Sequence, residues 1–172
     1  SHKIKLPLQI LASVIVIHFW NFIPLNFGGA FGINTVGNIW GWILMIAFFQ
    51  FTINAINFMD GINGLLGGYI VLVFSFLYLW SGSLGSLEIK NILASMTAGV
   101  IAFLYFNFRR TAKTFMGDAG STVLGLIAAT ATTRIIQIVP TSSISIGNID
   151  YIIPHFFIFV IIFWYPLFDS LQ

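Results

Sequence analysis

The 172-residue chain contains no cysteine. Disulfides and thiolate chemistry are therefore excluded, and the redox compartment is unreadable. Charge is scarce as well: 7% of residues are Asp, Glu, Lys or Arg, against about 25% in soluble domains. So few polar groups cannot cover a water-facing surface. The net charge of +2 gives no electrostatic footprint for nucleic acid. His2, His18 and His155 lie far apart with no metal-ligand spacing, the polar start "SHKIK" is no signal peptide, and no repeat of solenoid length is present.

What the chain has is apolar sequence, 58% of it hydrophobic with a mean hydropathy of +0.97. Apolar runs recur at Leu8–Leu25, Ile39–Phe58, Ile62–Trp80, Ile89–Phe108, Thr122–Val139 and Tyr151–Phe168. Each is close to the roughly 20 residues that cross a bilayer core. In lipid only helices and closed barrels satisfy their own backbone, and the runs lack the alternation of barrel strands. The expected fold is all-α: one polytopic bundle of about six transmembrane helices over residues 1–172. The connecting loops are short and Gly/Ser/Asn-rich. Pro24, Pro140 and Pro166 fall at or near run ends, while Pro154 lies inside the sixth run.

Alternating the runs across the membrane places Lys3, Lys5, Arg109, Arg110 and Lys113 on one side, five of the seven basic residues. The positive-inside rule makes that side cytoplasmic. Asp60, Asp118 and Asp169 fall on the same side, and Glu88 and Asp150 on the other. Hydropathy alone thus gathers acids, amides and cations at one membrane boundary.

The stretch "NAINFMDGINGLLGG", Asn54 to Gly68, concentrates three Asn, one Asp and four Gly in an oily chain. Asn54, Asn57 and Asp60 recur every three residues, which on a helix makes a polar stripe. Polar groups at membrane depth are costly and face a bundle interior or a wet cavity. "DGING" supplies a glycine-permitted turn, and Gly64, Gly67 and Gly68 thin the helix that follows. Helix packing alone would explain any single Asn or Gly, but does not call for an acid at the turn. A second stretch, "FMGDAGSTVLG" (Phe115 to Gly125), resembles the first: Phe-Met, an Asp, a Gly, then a new apolar helix. Both set a carboxylate at a helix N-terminus, where free N–H groups favour anions such as phosphate. An Asp there can hold Mg²⁺ bridged to phosphates, and Arg109, Arg110 and Lys113 just upstream can bind phosphate oxygens. The plainer alternatives are that Asp118 or Ser121 is an N-cap and the basic trio a topology signal. Together the elbows suggest Mg²⁺-assisted transfer of a phosphate-linked group to or from a membrane lipid. A secondary transporter with an Asp/Asn-lined broken-helix site is the alternative, but such sites lie near the bilayer midplane and these clusters lie at run ends.

"NAINFMDGINGL" and "FMGDAGSTVLG", separated by two helices, resemble the central motifs of the polyprenyl-phosphate N-acetylhexosamine-1-phosphate transferases, glycosyltransferase family 4. The likeness extends to "PLFDSL" near the end, and "NFMDGING" is most like the initiators of bacterial O-antigen and capsule synthesis. The resemblance implies transfer of a sugar-1-phosphate from a UDP-N-acetylamino sugar to undecaprenyl phosphate, releasing UMP. It implies Mg²⁺, with Mn²⁺ as the alternative ion, a site on the cytoplasmic face of the bacterial inner membrane, and leaves a homodimer open. By family pattern Asp118 would be a metal ligand and, with Asp60, catalytic. Asn57 and Asp60 would line the nucleotide-diphosphate site, Phe115 would stack on uracil with Gly61 to Asn63 beside it, and Asn54 would support that shell. Asn63 departs from the pattern, standing where the family usually has a second acid. The family's acidic pair is expected just upstream of Ser1 and its His-containing loop beyond Gln172. The chain therefore reads as an internal fragment of a longer enzyme, inactive alone.

Remaining residues have structural readings. His18 and Asn21 are expected to bond between helices, Arg134 to snorkel, and Trp40, Trp42, Trp80 and Trp164 to sit in an interfacial belt.

Overall fold

In the computed structural model, residues 2–22, 38–83, 86–108, 114–138, 144–145 and 150–151 are described. They contain five long helices: α1 (His2–Phe19), α2 (Asn38–Phe58), α3 (Leu65–Ser83), α4 (Leu87–Asn107) and α5 (Gly117–Ile138). A 3₁₀ turn, Met59–Gly61, follows α2. Two-residue strands β1 (Ile144–Ser145) and β2 (Asp150–Tyr151) pair antiparallel, Ile144 opposite Tyr151.

The helical reading holds for the first five runs, and the count of six goes untested. Tyr151, expected to open the sixth helix, pairs in β2 instead, and the rest of that run lies outside the described residues. Among the described residues, Ile39–Gly61 and Leu87–Asn107 are long and apolar enough to cross a membrane, while Ile4–Phe19 and Leu65–Leu79 are shorter apolar helices.

The first helix starts six residues earlier than its apolar run and stops six earlier. Its end is set by Asn21, which takes the left-handed conformation at φ 51°. The Asn21 N–H then bonds the His18 carbonyl at 3.2 Å and the Phe22 N–H bonds that of Ile17 at 3.1 Å. This is the Schellman pattern, completed by apolar contact across the turn, and Asn is among the few residues besides Gly that tolerate it. Ile17 and Phe22 are both buried. The earlier start brings Lys3 and Lys5 into the first turns of the helix, with Pro7 forfeiting one backbone bond.

Two apolar clusters hold the bundle. One runs through α3, α4 and α5 (Leu66, Phe74, Leu77, Leu93, Ala128, Ile135), and the other joins α1, α2 and α5 through Ile17, Phe22, Met45, Phe49 and Ala129. The closest helix pairs are α3 with α4 and α2 with α5. The α2–α5 approach depends on Gly125: a Cβ there would lie 2.7 Å from Ile53 Cα. Small residues permit such backbone contact in membrane bundles. This pairing brings the C-terminal end of α2 beside the N-terminal end of α5.

Outside these ends the bland expectations need two corrections. Arg134 packs its guanidinium over the Trp20 ring, 5.5 Å from the centroid, and reaches Gln137 Oε1 at 3.4 Å. A cation over an indole face has a local partner, so it need not snorkel. Asn21 does bond between helices, but through its backbone carbonyl, which accepts from Gln137 Nε2 at 3.2 Å. His18 is exposed and meets the Phe19 ring edge-on.

Candidate functional site

The two acidic elbows meet. Asp60 follows Asn54 and Asn57 just past the end of the α-helix at Phe58, in the 3₁₀ turn. There its carboxylate lies near the Gly117 backbone N–H and the Asp118 carboxylate. One residue beyond Gly117, Asp118 opens α5, its side chain 72% exposed. Gly117 takes φ 69°, a conformation in which a side chain is strained.

Asn57 contributes a second link. Its Oδ1 accepts from the Ser121 hydroxyl at 2.7 Å. Ser121 is fully buried and also lies 3.0 Å from the Gly117 carbonyl. Its hydroxyl faces carbonyls and the Asn57 amide rather than free N–H groups, which removes the N-cap reading for Ser121. Asn54 takes a different part: its Nδ2 donates to the Gln50 carbonyl of its own helix at 2.8 Å. Gly61, Asn63 and Phe115 are exposed around the elbows, Phe115 at 69%. Arg109, Arg110 and Lys113 lie outside the described residues.

The left-handed residue of "DGING" is Gly64, which lies in the turn before α3 rather than in that helix. Gly64 has φ 77°, and a Cβ there would lie 2.2 Å from Phe108 Cδ2. Of the two glycines that follow, Gly67 makes room for Leu104, whereas nothing lies within 4 Å of a Cβ at Gly68.

Sequence reasoning missed two residues here. Lys5 Nζ lies 3.2 Å from Asp118 Oδ2. Only its place among the cytoplasmic cations hinted at this, since an ion pair across 113 positions leaves no local signal. Asn107, at the last position of α4, is 5% exposed. Its Oδ1 accepts from the Gly64 N–H at 2.6 Å, and its Nδ2 donates to the Thr114 carbonyl at 2.7 Å. A single Asn ending an apolar run carried no periodic signal.

Behind the elbows a polar seam crosses α1, α2 and α5. Gln9 Nε2 reaches Thr122 Oγ1 at 3.4 Å, Ser13 Oγ donates to the Gln9 carbonyl at 2.8 Å, and Gln50 Nε2 donates to Ser13 Oγ at 2.9 Å. Gln50 Oε1 and the Thr52 hydroxyl are buried without a partner.

The donor set at the elbows suits a hard cation that is bound partly by substrate. Among the described residues no three His, Cys, Asp or Glu side chains gather as a metal cage. Mg²⁺ does not need one: it keeps several waters and uses one or two carboxylates plus substrate phosphates. Asp60 and Asp118, two oxygen donors whose mutual repulsion a cation would relieve, fit that requirement.

The profile of glycosyl transferase family 4 matches residues 1–136. The chain is 40% identical over 85 residues to a phospho-N-acetylmuramoyl-pentapeptide-transferase of Symbiobacterium thermophilum, covering 49% of this chain and 25% of that protein. It is 34% identical over 131 residues to an undecaprenyl-phosphate alpha-N-acetylglucosaminyl 1-phosphate transferase of Escherichia coli O157:H7, covering 73% of this chain and 35% of that protein. A phospho-N-acetylmuramoyl-pentapeptide-transferase of Lactobacillus helveticus is 33% identical over 147 residues, 83% of this chain and 44% of its own length. The chain thus spans between a quarter and under half of these relatives.

Proposed function

The chain belongs to glycosyl transferase family 4, and on that premise we propose that the protein containing it transfers N-acetylhexosamine-1-phosphate from a UDP-sugar to undecaprenyl phosphate and releases UMP. The observation that carries this reading is the meeting of the two elbows: Ser121 bonded to Asn57, with Asp60 beside Asp118 and its ion pair to Lys5.

The reaction has a simple balance. An oxygen of the lipid phosphate forms a bond to the sugar-bearing phosphorus of the UDP-sugar, the bond from that phosphorus to the bridging oxygen breaks, and UMP leaves with that oxygen. In this reading Asp60 and Asp118 would hold Mg²⁺, or Mn²⁺ in its place, and the bound ion would supply charge neutralisation at the diphosphate. Asn57 and Asp60 line the diphosphate site. Phe115 offers an exposed ring face for uracil, with Gly61 and Asn63 alongside, and the Asn63 amide hydrogen-bonds where a carboxylate would carry charge. Lys5, Arg109, Arg110 and Lys113 supply cations for phosphate oxygens. Asn54, bonded within its own helix, steadies the end of α2 that bears Asn57.

The site then faces the cytoplasm at the bacterial inner membrane, and the product begins a cell-envelope glycan such as O-antigen or capsule. The position of both acids at helix ends supports this over a midplane transport site.

The test is exchange of labelled UMP into a panel of UDP-amino sugars, in membranes carrying the protein that contains residues 1–172, with undecaprenyl phosphate and with or without Mg²⁺. Mg²⁺-dependent exchange that Asp118→Asn abolishes supports the reading and identifies the sugar. Folded protein that exchanges with no sugar in the panel overturns it.

A further inference from the structure

Asn107 spends its whole amide on two main-chain groups far apart in sequence, and these belong to different elbows. Its Oδ1 takes the N–H of Gly64, the left-handed residue that closes the "DGING" turn before α3. Its Nδ2 gives a hydrogen to the carbonyl of Thr114, which immediately precedes Phe115 and stands four residues before Asp118. An N–H on one side and a carbonyl on the other fix the amide orientation without ambiguity, because each end of the amide has one matching partner. Both distances are short, 2.6 and 2.7 Å, and the side chain is 5% exposed, so water competes poorly for either bond. The neighbouring Phe108 ring covers Gly64.

We propose that Asn107 is a positioning residue: its buried amide ties the turn after Asp60 to the segment that leads into Asp118, and so sets the spacing of the two acidic elbows. Its two bonds are to main-chain groups of the elbows. The fold supplies the reason for its place. α3 and α4 pack closely, so the last residue of α4 falls beside the turn that starts α3. From there the chain passes to the second elbow. A side chain at this corner is the shortest bridge between the two. The consequence for turnover rests on the proposed transferase reading. A diphosphate held by one elbow and a cation held partly by the other require a fixed separation, and a misplacement of about 1 Å costs on the order of 100-fold in rate.

The test uses two variants of the membrane protein containing this chain. Asn107→Ala removes both bonds. Asn107→Asp keeps the size and the acceptor for Gly64 but sets a carboxylate oxygen against the Thr114 carbonyl, and it carries the test if the Ala variant does not fold. Nitroxide labels at Ile62→Cys and Ala119→Cys report the elbow separation by pulsed electron resonance. Both positions are exposed, residues 1–172 hold no other thiol, and any cysteine elsewhere is replaced by serine. UMP exchange, per folded molecule and without labels, gives kcat, the UDP-sugar KM and the half-saturating Mg²⁺ concentration.

The expected result is a broadened distance distribution, a kcat lowered roughly 10- to 100-fold, and a raised half-saturating Mg²⁺ concentration. A residue that merely stabilises the fold would lower the yield of folded protein and leave these values unchanged in what folds. A distribution as narrow as that of the unmutated protein overturns the proposal whatever the activity. Broadening in a protein whose unmutated form exchanges UMP with no sugar upholds the tie and overturns only the transferase reading.

Discussion

The Ser121 hydroxyl donates to Asn57 Oδ1 at 2.7 Å, across 64 positions of sequence and between two helices. The bond holds the Asn57 carboxamide against α5. Ser121→Ala removes the bond and leaves the amide free to rotate. The expected loss of stability is about 1 kcal/mol, the usual net worth of a hydrogen bond. In the transferase reading the expected loss of UMP exchange per folded molecule is larger, roughly tenfold, because a rotating Asn57 amide would no longer meet the diphosphate in one geometry. Thermal unfolding in detergent and the exchange assay separate the two effects. Equal activity per folded molecule would remove Asn57 from the site.

The close approach of α2 and α5 predicts opposite outcomes for two glycines. At Gly125 an added methyl meets the backbone of Ile53, which cannot move aside as a side-chain tip can. Gly125→Ala should destabilise by about 1–3 kcal/mol, the usual range for overpacking, and should also lower exchange by parting Asn57 from Ser121. At Gly68 the same methyl meets nothing within 4 Å. Gly68→Ala should be neutral or stabilise by up to about 1 kcal/mol, since Ala is the better helix former. Melting temperatures of the two variants check the sign of each. A Gly125→Ala protein as stable as the parent would show that the helices do not touch there.

Gly64 combines two constraints that can be pulled apart. Its φ of 77° penalises a side chain, and the Phe108 ring occupies the space that a Cβ would need. Gly64→Ala should cost about 1–2 kcal/mol for the backbone alone, with the collision added. Adding Phe108→Ala should restore only the collision part. A double-mutant cycle measures the split, and full recovery in the double variant would refute the left-handed conformation.

The reach of the sequence follows from where physics leaves a local mark. Hydropathy marked the five helices because burial in lipid demands long apolar runs, and Asp60 and Asp118 were visible because acids are rare against that background. The Schellman turn at Asn21 was not visible, since Asn in the left-handed region looks like any polar loop residue. That hid the true end of α1; its start lay ahead of the apolar run among the charges of Lys3 and Lys5, which hid the meeting of Lys5 and Asp118. That Asp60 lies beyond the α-helix was not legible, because periodicity cannot say at which residue an α-helix tightens into a 3₁₀ turn. Asn107 acts through main-chain partners at Gly64 and Thr114, and a bond to backbone asks nothing of the partner's side chain.

Lys5 should matter to activity and little to stability. The ion pair with Asp118 is open to solvent on the carboxylate side, 72% exposed, and exposed pairs contribute little to folding. Lys5→Met should therefore leave the melting temperature nearly unchanged. In the transferase reading it removes a cation from the diphosphate site, so the UDP-sugar KM should rise severalfold, with the effect weakening at high salt as screening increases. An unchanged KM would make the pair a surface contact only.

The buried Thr52 hydroxyl offers a prediction independent of function. It lies within α2, fully buried and without a hydrogen-bond partner. A hydroxyl deprived of water and unpaired costs about 1–3 kcal/mol of desolvation. Valine matches its shape and has nothing to satisfy, so Thr52→Val should raise the melting temperature or leave it unchanged. Gln50→Leu, in the same seam, should do the reverse. Although Gln50 Oε1 is equally unpaired, its Nε2 donates to Ser13, which in turn bonds the Gln9 carbonyl. Removing Gln50 takes away the amide that joins α2 to α1, and with it the support under Lys5. If Thr52→Val instead destabilises the protein, its hydroxyl has a partner, and a bound water would be the first to seek.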